Sequence, residues 1–431
     1  MPLYVSLGGL NTTLALVTLW LSARVFEAAV GDRTWLPGLK DYLGELSCFG
    51  LFVIAILLNV LLHRGITGVL HLCIVCRYFA ALFIICSYSR VPIATPERFA
   101  LSVLLVLGLF ALISMPTLIA RPMLPRLTQF DDELYLSLLY KGVTRYSSYT
   151  AEAIVFPCFL VAAAGTHGIV RKCFFGALCL GIAFVVTISG FMAAVVTLVV
   201  SLVLLFLLLL WRRSKAGWTS RRKLAMILTA CLIVGGAFLA GTKSEGLDFA
   251  MEKAQRLVQG ILTEGLAKGD ETGRYELLEL SVTTFRDMPW FGIGPVTGDL
   301  TEALYGSAVG GHASLIDGLA EYGVVGFGWY LLLLGLLSRR VLLGVRFGKN
   351  RLFSSAVGIV WLAFLATSIY NVTTWVPDIV VLVFGFVLIN SFPHCLMRPA
   401  ATRFRAQSVA ISSVPPERND NRPGVIHYGS G

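Results

Sequence analysis

Charged residues are scarce in this sequence, since they make up 14% of its 431 residues. Soluble domains usually carry about a quarter charged residues, so an ordinary soluble enzyme is excluded. Apolar residues make up 56% of the chain and recur in long runs. On so apolar a chain, the formal charge of +10 points to loops that face the cytoplasm rather than to a nucleic-acid partner.

Disulfide, metal and nucleotide patterns are also missing. The nine cysteines lie almost all in apolar runs, and Cys73 and Cys76 have no second pair, so we interpret them as small buried residues. There is no G-x-x-x-x-G-K-[ST] and no H-E-x-x-H sequence. Asp131-Asp132-Glu133 is the one acidic cluster suited to a divalent metal, but a solvated acidic run explains it better. We therefore expect no metal and no nucleotide cofactor, and an activated donor that is linked to a lipid.

The apolar runs predict an all-α, polytopic integral membrane protein with about 11–12 transmembrane helices. A helix needs about 20 mainly apolar residues to cross the hydrocarbon core, and it closes its own backbone hydrogen bonds there. Eleven runs meet this length: 5–29, 42–62, 68–88, 99–120, 149–166, 173–189, 191–211, 224–241, 313–337, 353–371 and 376–394.

Basic loops set the expected orientation. Residues 212–223 hold six Lys or Arg and residues 338–351 hold five, with no acid in either, which puts both in the cytoplasm. The segment 242–311 then lies outside, and it carries eleven acidic against six basic residues. With eleven spans the N-terminus is outside, and with twelve it is inside. The predicted regions are N-terminal membrane helices (1–241), a large periplasmic helical loop (242–311), C-terminal membrane helices (312–396) and a disordered cytoplasmic tail (397–431).

The large loop contains a second kind of helix. Residues 274–287 have helical spacing, and we expect the face that carries Leu277, Leu278, Ser281 and Phe285 to lie against the membrane surface. Arg274 and Glu276 would then face water. Pro289 ends this helix, and a turn rich in glycine and aromatic residues follows it.

Two polar residues of the outer face can do chemistry. His312 begins the ninth span, where the helix dipole disfavours the imidazolium, and a neutral imidazole can serve as a general base. A histidine that merely caps the helix or sits among lipid headgroups is an equally good interpretation. The guanidinium of Arg274 can bind phosphate and stabilise a departing diphosphate. Taken alone, a solvated arginine paired with Glu271 or Glu276 is the simpler interpretation.

The order of the motifs around these two residues resembles the bacterial O-antigen ligase and polymerase superfamily. The family pattern is a G-R-x-x-x-W-like helix, a P-x-x-G-x-G turn and an H-N-x-x-L-x-x-L-x-E-x-G-x-x-G entry into a span. The corresponding residues here are Gly273-Arg274-Tyr275-Glu276, then Phe285-Arg286-Asp287-Met288-Pro289-Trp290-Phe291-Gly292-Ile293-Gly294-Pro295, and then His312, Leu315 and Leu319-Ala320-Glu321-Tyr322-Gly323-Val324-Val325-Gly326.

The sequence departs from the family pattern at three places. Ala313 stands where the family commonly has Asn, and leucine replaces the usual Trp at 277 or 278. The family's Ser-Arg pair appears here as Ser189-Gly190, without the arginine. A second phosphate-binding cation must then come from elsewhere, and the topology offers three candidates, Arg145, Arg126 and Arg121. Ser189 and Glu321 complete the candidate substrate-binding residues.

The resemblance implies an inverting glycosyl transfer at the periplasmic face of the bacterial inner membrane. The donor would be a glycan on undecaprenyl diphosphate, and the acceptor a sugar hydroxyl of lipid A–core or of a growing polysaccharide. His312 would remove or orient the acceptor proton, and Arg274 would offset charge on the diphosphate. Grooves between the spans would hold the lipid tail, and no metal is required.

Two other classes of function stay open at this stage. A transporter or flippase would carry charges or paired broken helices inside its spans, and these spans hold few charges, with Arg77 and Glu321 the deeper exceptions. A non-catalytic scaffold in envelope assembly is the other alternative. Within the transferase class, the sequence does not separate a ligase from a polymerase.

Overall fold

The apolar runs fold into long helices in the computed structural model of the chain. Its elements belong to one compact unit, Met1–Leu396; a second unit, Met397–Gly431, lies outside the described residues, and so does the tail predicted there. The structure describes residues 6–7, 10–11, 40–63, 82–83, 86, 95–122, 124–127, 134, 137–138, 141, 143, 146–213, 252, 255, 259, 274–294, 309, 313–370 and 377–391.

The described part of the chain is almost entirely helical. Its helices are α1 (Leu43–His63), α2 (Pro96–Ala120), α3 (Leu124–Leu127), α4 (Tyr146–Gly165), α5 (Ile169–Ile188), α6 (Met192–Arg213), α7 (Arg274–Asp287), α8 (Ser314–Phe347), α9 (Arg351–Tyr370) and α10 (Pro377–Asn390). Two short strands, β1 (Ser6–Leu7) and β2 (Leu10–Asn11), pair antiparallel near the N-terminus.

These helices confirm an all-α, polytopic membrane protein. Among the described residues, six helices are long and apolar enough to span a membrane: α2, α4, α5, α6, α8 and α9. The helices α1 and α10 contain shorter apolar stretches, so eight of the eleven predicted spans coincide with helices. The span predicted at 224–241 lies outside the described residues, and that at 68–88 is described only at 82–83 and 86, which are helical.

The first predicted span, 5–29, was wrong at its start, because four of its first residues form β1 and β2 instead. The physical reason is local: Gly8 and Gly9 stand between the two strands in the sequence, and a two-residue Gly-Gly connection favours a hairpin. Counting apolar residues does not detect such a turn.

Helix α2 shows how the sequence sets a helix start. Thr95 is its N-cap and accepts a hydrogen bond from the Arg98 N–H (3.3 Å). Pro96 occupies the first helical position, where its missing N–H costs nothing, and Glu97 follows in the first turn, where the helix dipole favours an acid. The cap, the proline and the acid together fix the beginning of this span.

Helix α4 lies at the centre of the bundle. It packs against α2, α5, α6, α9 and α10, and 78% of its apolar stretch is buried, against 39% for α2, α5 and α6.

The close approach of α2 to α5 depends on Gly108. A Cβ at Gly108 would lie 2.7 Å from the Leu178 Cβ, so these helices meet where small residues let the backbones touch.

Helices α1 and α8 run antiparallel. At one end, Glu45 near the start of α1 forms an ion pair with Arg340 near the end of α8. Arg340 also lies 4.2 Å from the Tyr42 ring centroid, and the Tyr42 hydroxyl donates to the Leu388 carbonyl of α10 (3.1 Å). At the other end, Asn59 of α1 contacts the segment that packs against the first half of α8. That end contains the candidate site.

Candidate active site

The site is built on the pairing of α7 with the first half of α8. Residues 274–287 form a helix as predicted, with Glu276 in the first turn and Arg286 in the last, where each charge complements the helix dipole. Ser281 and Thr284 are fully buried, whereas Glu276 is exposed. Ser281 faces α8 rather than the membrane surface, so the expected membrane-facing role of this residue was wrong; its hydroxyl finds a partner in the protein.

That partner is Asp317, in the first turn of α8. The Ser281 hydroxyl donates to the Asp317 Oδ1 (2.7 Å), and the Ala313 N–H donates to the Asp317 Oδ2 (2.7 Å). Ala313 is the N-cap of α8 and offers no side-chain acceptor of its own. The Asp317 carboxylate therefore caps α8 and holds α7 at the same time, with its negative charge at the favourable end of the helix dipole.

The helix α8 is broken at Gly323, which has φ 61° and ψ −175°. In an unbroken helix the N–H groups of residues 324 and 325 would donate to the carbonyls of residues 320 and 321. In this structure, the turn after α7, residues 288–294, forms hydrogen bonds with all four of these N–H and carbonyl groups instead. The hydrogen bonds are Val324 N to Pro289 O (2.8 Å), Val325 N to Trp290 O (3.0 Å), Ile293 N to Ala320 O (3.1 Å) and Gly294 N to Glu321 O (2.7 Å).

Glycine is required on both sides of this backbone contact. Gly292 has φ 67°, and a Cβ there would lie 2.4 Å from the Glu321 carbonyl group. A Cβ at Gly323 would lie 2.4 Å from the Trp290 carbonyl group. The glycines of the P-x-x-G-x-G turn and of the E-x-G entry into the span thus serve one purpose, since they let two backbones touch where a side chain would separate them.

Helix α1 supports the 288–294 turn from a third side. The Asn59 side chain is buried, and its Nδ2 donates to the Phe291 carbonyl (2.7 Å). The side chains of Trp290 and Phe291 are themselves exposed (66% and 62%). Aromatic residues of this kind favour the boundary between lipid and water, so the turn fits such a boundary.

Helices α7 and α8 run in the same direction, because their contacts advance together from Ser281 with Asp317 to Pro289 with Val324. Both N-termini therefore point to the same end of the bundle. Arg274 is the first residue of α7; it stands seven positions before Ser281, which is about 10 Å along the axis and nearly the same face of a helix. His312 directly precedes Ala313 in the chain. The Arg274 side chain and all of His312 lie outside the described residues.

The remaining predicted residues lie partly within and partly outside the described part of the chain. Arg121 is exposed at the end of α2, and its N–H donates to the Thr117 carbonyl (3.0 Å). Arg126 lies in α3 with its side chain outside the described residues, and Arg145 lies outside them altogether. Glu321 is buried just before the break in α8.

Ser189 ends α5 and is fully buried, and its hydroxyl donates to the Val186 carbonyl within its own helix (2.7 Å). Gly190 follows with φ 72°. This left-handed conformation just after a helix favours glycine over any side chain, which is a local reason for the missing arginine of the Ser-Arg pair. The role of Ser189 in substrate binding stays a prediction.

Two residues of the site escaped the sequence analysis, namely Asp317 and Asn59. An acid in an early turn of an apolar helix and an amide inside a predicted span are both costly in lipid, and that cost was the available signal. Asp131-Asp132-Glu133 lies outside the described residues. Within the described ranges, no group of three His, Cys, Asp or Glu side chains could hold a metal ion.

A comparison with protein families shows what this arrangement is similar to. Residues 175–331 match the family model described as O-antigen ligase. Over this segment the chain is similar to the O-antigen ligase family. The matched segment starts in α5, contains α7 and the 288–294 turn, and ends beyond the break in α8, so the similarity includes the whole backbone contact described above. No curated protein matches the chain. The family supports a membrane glycosyltransferase-like role in O-antigen assembly.

Proposed function

We propose that this protein is a periplasmic-face inverting glycosyltransferase of the bacterial inner membrane. It moves a glycan from undecaprenyl diphosphate to a sugar hydroxyl, either of lipid A–core, as a ligase, or of a growing polysaccharide, as a polymerase. Its membrane helices flank the large outer segment 242–311, and its tail 397–431 is cytoplasmic.

The observation that carries this proposal is the pairing of α7 with α8. The Asp317 carboxylate joins α7 to α8, four backbone hydrogen bonds join the 288–294 turn to α8, and both helices begin at the same end of the bundle. The two segments joined in this way are the ones that begin at Arg274 and next to His312. A guanidinium at the start of α7 can bind a diphosphate, which supports the proposal.

In the proposed reaction the acceptor hydroxyl oxygen attacks the anomeric carbon of the donor glycan. The bond from that carbon to the diphosphate oxygen breaks, and its electron pair leaves with the lipid diphosphate. His312 takes the acceptor proton or orients the hydroxyl. Arg274 offsets the charge that develops on the diphosphate, which is an electrostatic effect worth about 3 kcal/mol when one such donor is removed from an active site.

Further contacts in this scheme come from the other candidate residues of the sequence. Arg145, Arg126 or Arg121 supplies the second cation on the diphosphate, and Ser189 and Glu321 contact the substrate. Because arginines neutralise the leaving group, the reaction needs no metal. Apolar grooves between the spans hold the polyprenyl tail, and the spent lipid diphosphate leaves along the bilayer.

Analysis of lipid-linked glycans in a deletion strain tests the class of function. Loss of a ligase leaves full-length polymer on undecaprenyl diphosphate, and loss of a polymerase leaves single repeat units; in both cases the glycan is on the periplasmic leaflet. Either pattern supports the proposal. Glycan retained on the cytoplasmic leaflet would identify a flippase, and unchanged lipid-linked and surface glycan would favour a scaffold, so both of these results would overturn it.

A further inference from the structure

Asp317 is a buried carboxylate with both oxygens engaged. Its exposed fraction is 3%, and it accepts one hydrogen bond from the Ser281 hydroxyl and one from the Ala313 N–H, each at 2.7 Å. Burying a carboxylate in an apolar bundle is costly unless it is hydrogen-bonded. Two such bonds offset that cost, so the residue adds little net stability. Its contribution is to hold the two segments that it contacts in a fixed geometry.

The two hydrogen bonds of Asp317 reach two different segments of the site. The Ala313 N–H belongs to the peptide bond that joins Ala313 to His312, so Asp317 holds the backbone at Ala313, the residue next to His312 in the chain. Ser281 lies two turns after Arg274 on the same helix. One carboxylate therefore connects the segment that carries His312 with the segment that carries Arg274.

We propose that Asp317 is a positioning residue, which holds the His312 and Arg274 segments in register for glycosyl transfer. This inference rests on the proposed function. It assigns Asp317 no contact with substrate, because both of its oxygens are already used within the protein. A displacement of about 1 Å at a reacting group can cost about 100-fold in rate, so a residue that sets this register affects the rate of transfer rather than substrate affinity.

The test compares Asp317→Ala, Asp317→Asn and Ser281→Ala in the full-length protein, purified into lipid nanodiscs. The donor is the lipid-linked glycan extracted from the deletion strain. Asparagine keeps an oxygen for the Ala313 N–H and gains an amide that can donate to the Ser281 oxygen. The Ser281 hydroxyl can then donate to the Leu277 carbonyl, which already lies 3.3 Å away. The conservative variant thus preserves both connections without the charge.

The expected results separate positioning from general stability. Asp317→Ala should lower kcat per folded molecule about 100-fold and leave KM for the donor unchanged. Asp317→Asn should restore kcat to near the wild-type value, and Ser281→Ala, which leaves the Ala313 bond intact, should fall between them. Glu45→Ala is the matched control, since it removes a buried carboxylate bonded to α8 at the opposite end; it should lower thermal stability without changing kcat.

Three results would overturn the inference: wild-type kcat in Asp317→Ala, an Asp317→Asn variant as inactive as Asp317→Ala, or an equal loss of kcat in Glu45→Ala. If Asp317→Ala does not fold, Ser281→Ala and Asp317→Asn decide alone. His312→Ala in the same assay separates the two proposals. An active His312→Ala variant overturns the proposed function, whereas an inactive one together with wild-type kcat in Asp317→Ala overturns only the role of Asp317.

Discussion

Gly323 lies directly against the carbonyl group of Trp290, at a distance that leaves no room for a side chain. A Cβ at Gly323 would be 2.4 Å from both the carbon and the oxygen of that carbonyl. The contact joins a turn near the membrane surface to the interior of a spanning helix. We therefore expect that the addition of a single methyl group at Gly323 sharply lowers the activity.

Gly323→Ala should separate the 288–294 turn from α8. The residue has φ 61° and ψ −175°, a region that is essentially restricted to glycine and costs a side chain about 1–3 kcal/mol, and the clash with Trp290 adds to that cost. We expect at least a tenfold loss of transfer per folded molecule, equivalent to about 1.4 kcal/mol, and faster proteolysis within 274–294. Gly328→Ala is the control, because nothing lies within 4 Å of a Cβ at that position of α8. Equal behaviour of the two variants would contradict the structure.

Asn59→Ala should weaken the same turn from the side of α1. The change removes the donor to the Phe291 carbonyl, and leaving such a group without its partner costs about 1–3 kcal/mol when it is buried. We expect a lower melting temperature and a smaller loss of transfer than in Gly323→Ala. Leu58→Ala, at a residue 54% exposed beside it, should have little effect. A melting temperature as high as that of wild type in Asn59→Ala would be evidence against this contact.

Arg340→Ala and Glu45→Ala should each destabilise the far end of the bundle. The two side chains are only 17% and 10% exposed, and removing one partner of a buried ion pair costs about 3–5 kcal/mol because the other charge stays unpaired. The double variant should lose less than the sum of the two single losses. Arg339→Ala, at an exposed neighbour, should be neutral in thermal unfolding. Additive losses would mean that the two residues do not form a pair.

The spans of this protein were largely predictable, because apolar runs between basic loops carry a strong signal. Helix α2 illustrates this, since Thr95, Pro96 and Glu97 mark its start in the sequence as well as in the structure. The break in α8 was not predictable from periodicity. Residues 313–337 form one apolar run, and the groups that replace its helical hydrogen bonds come from a turn about thirty residues earlier in the chain.

Part of the candidate site could be predicted from the sequence. The order of the glycine-rich motifs located both segments, but it gave no reason for the glycines, which is the contact of Gly292 and Gly323 with opposite backbones. Asp317 and Asn59 were missed because each contacts a residue far away in the sequence. Such a partner becomes visible only when the helices are packed.

The proposed function depends most directly on Arg274 and His312. Each is replaced by Ala in a deletion strain, and the lipid-linked and surface glycans are measured at matched protein levels. Arg286→Ala, at the exposed end of the same helix α7, and His167→Ala, in the exposed turn between α4 and α5, are the controls. If the proposed function is right, strains that carry Arg274→Ala or His312→Ala accumulate lipid-linked glycan as the deletion strain does, while both control variants restore transfer. Normal surface polysaccharide in Arg274→Ala and His312→Ala would contradict it.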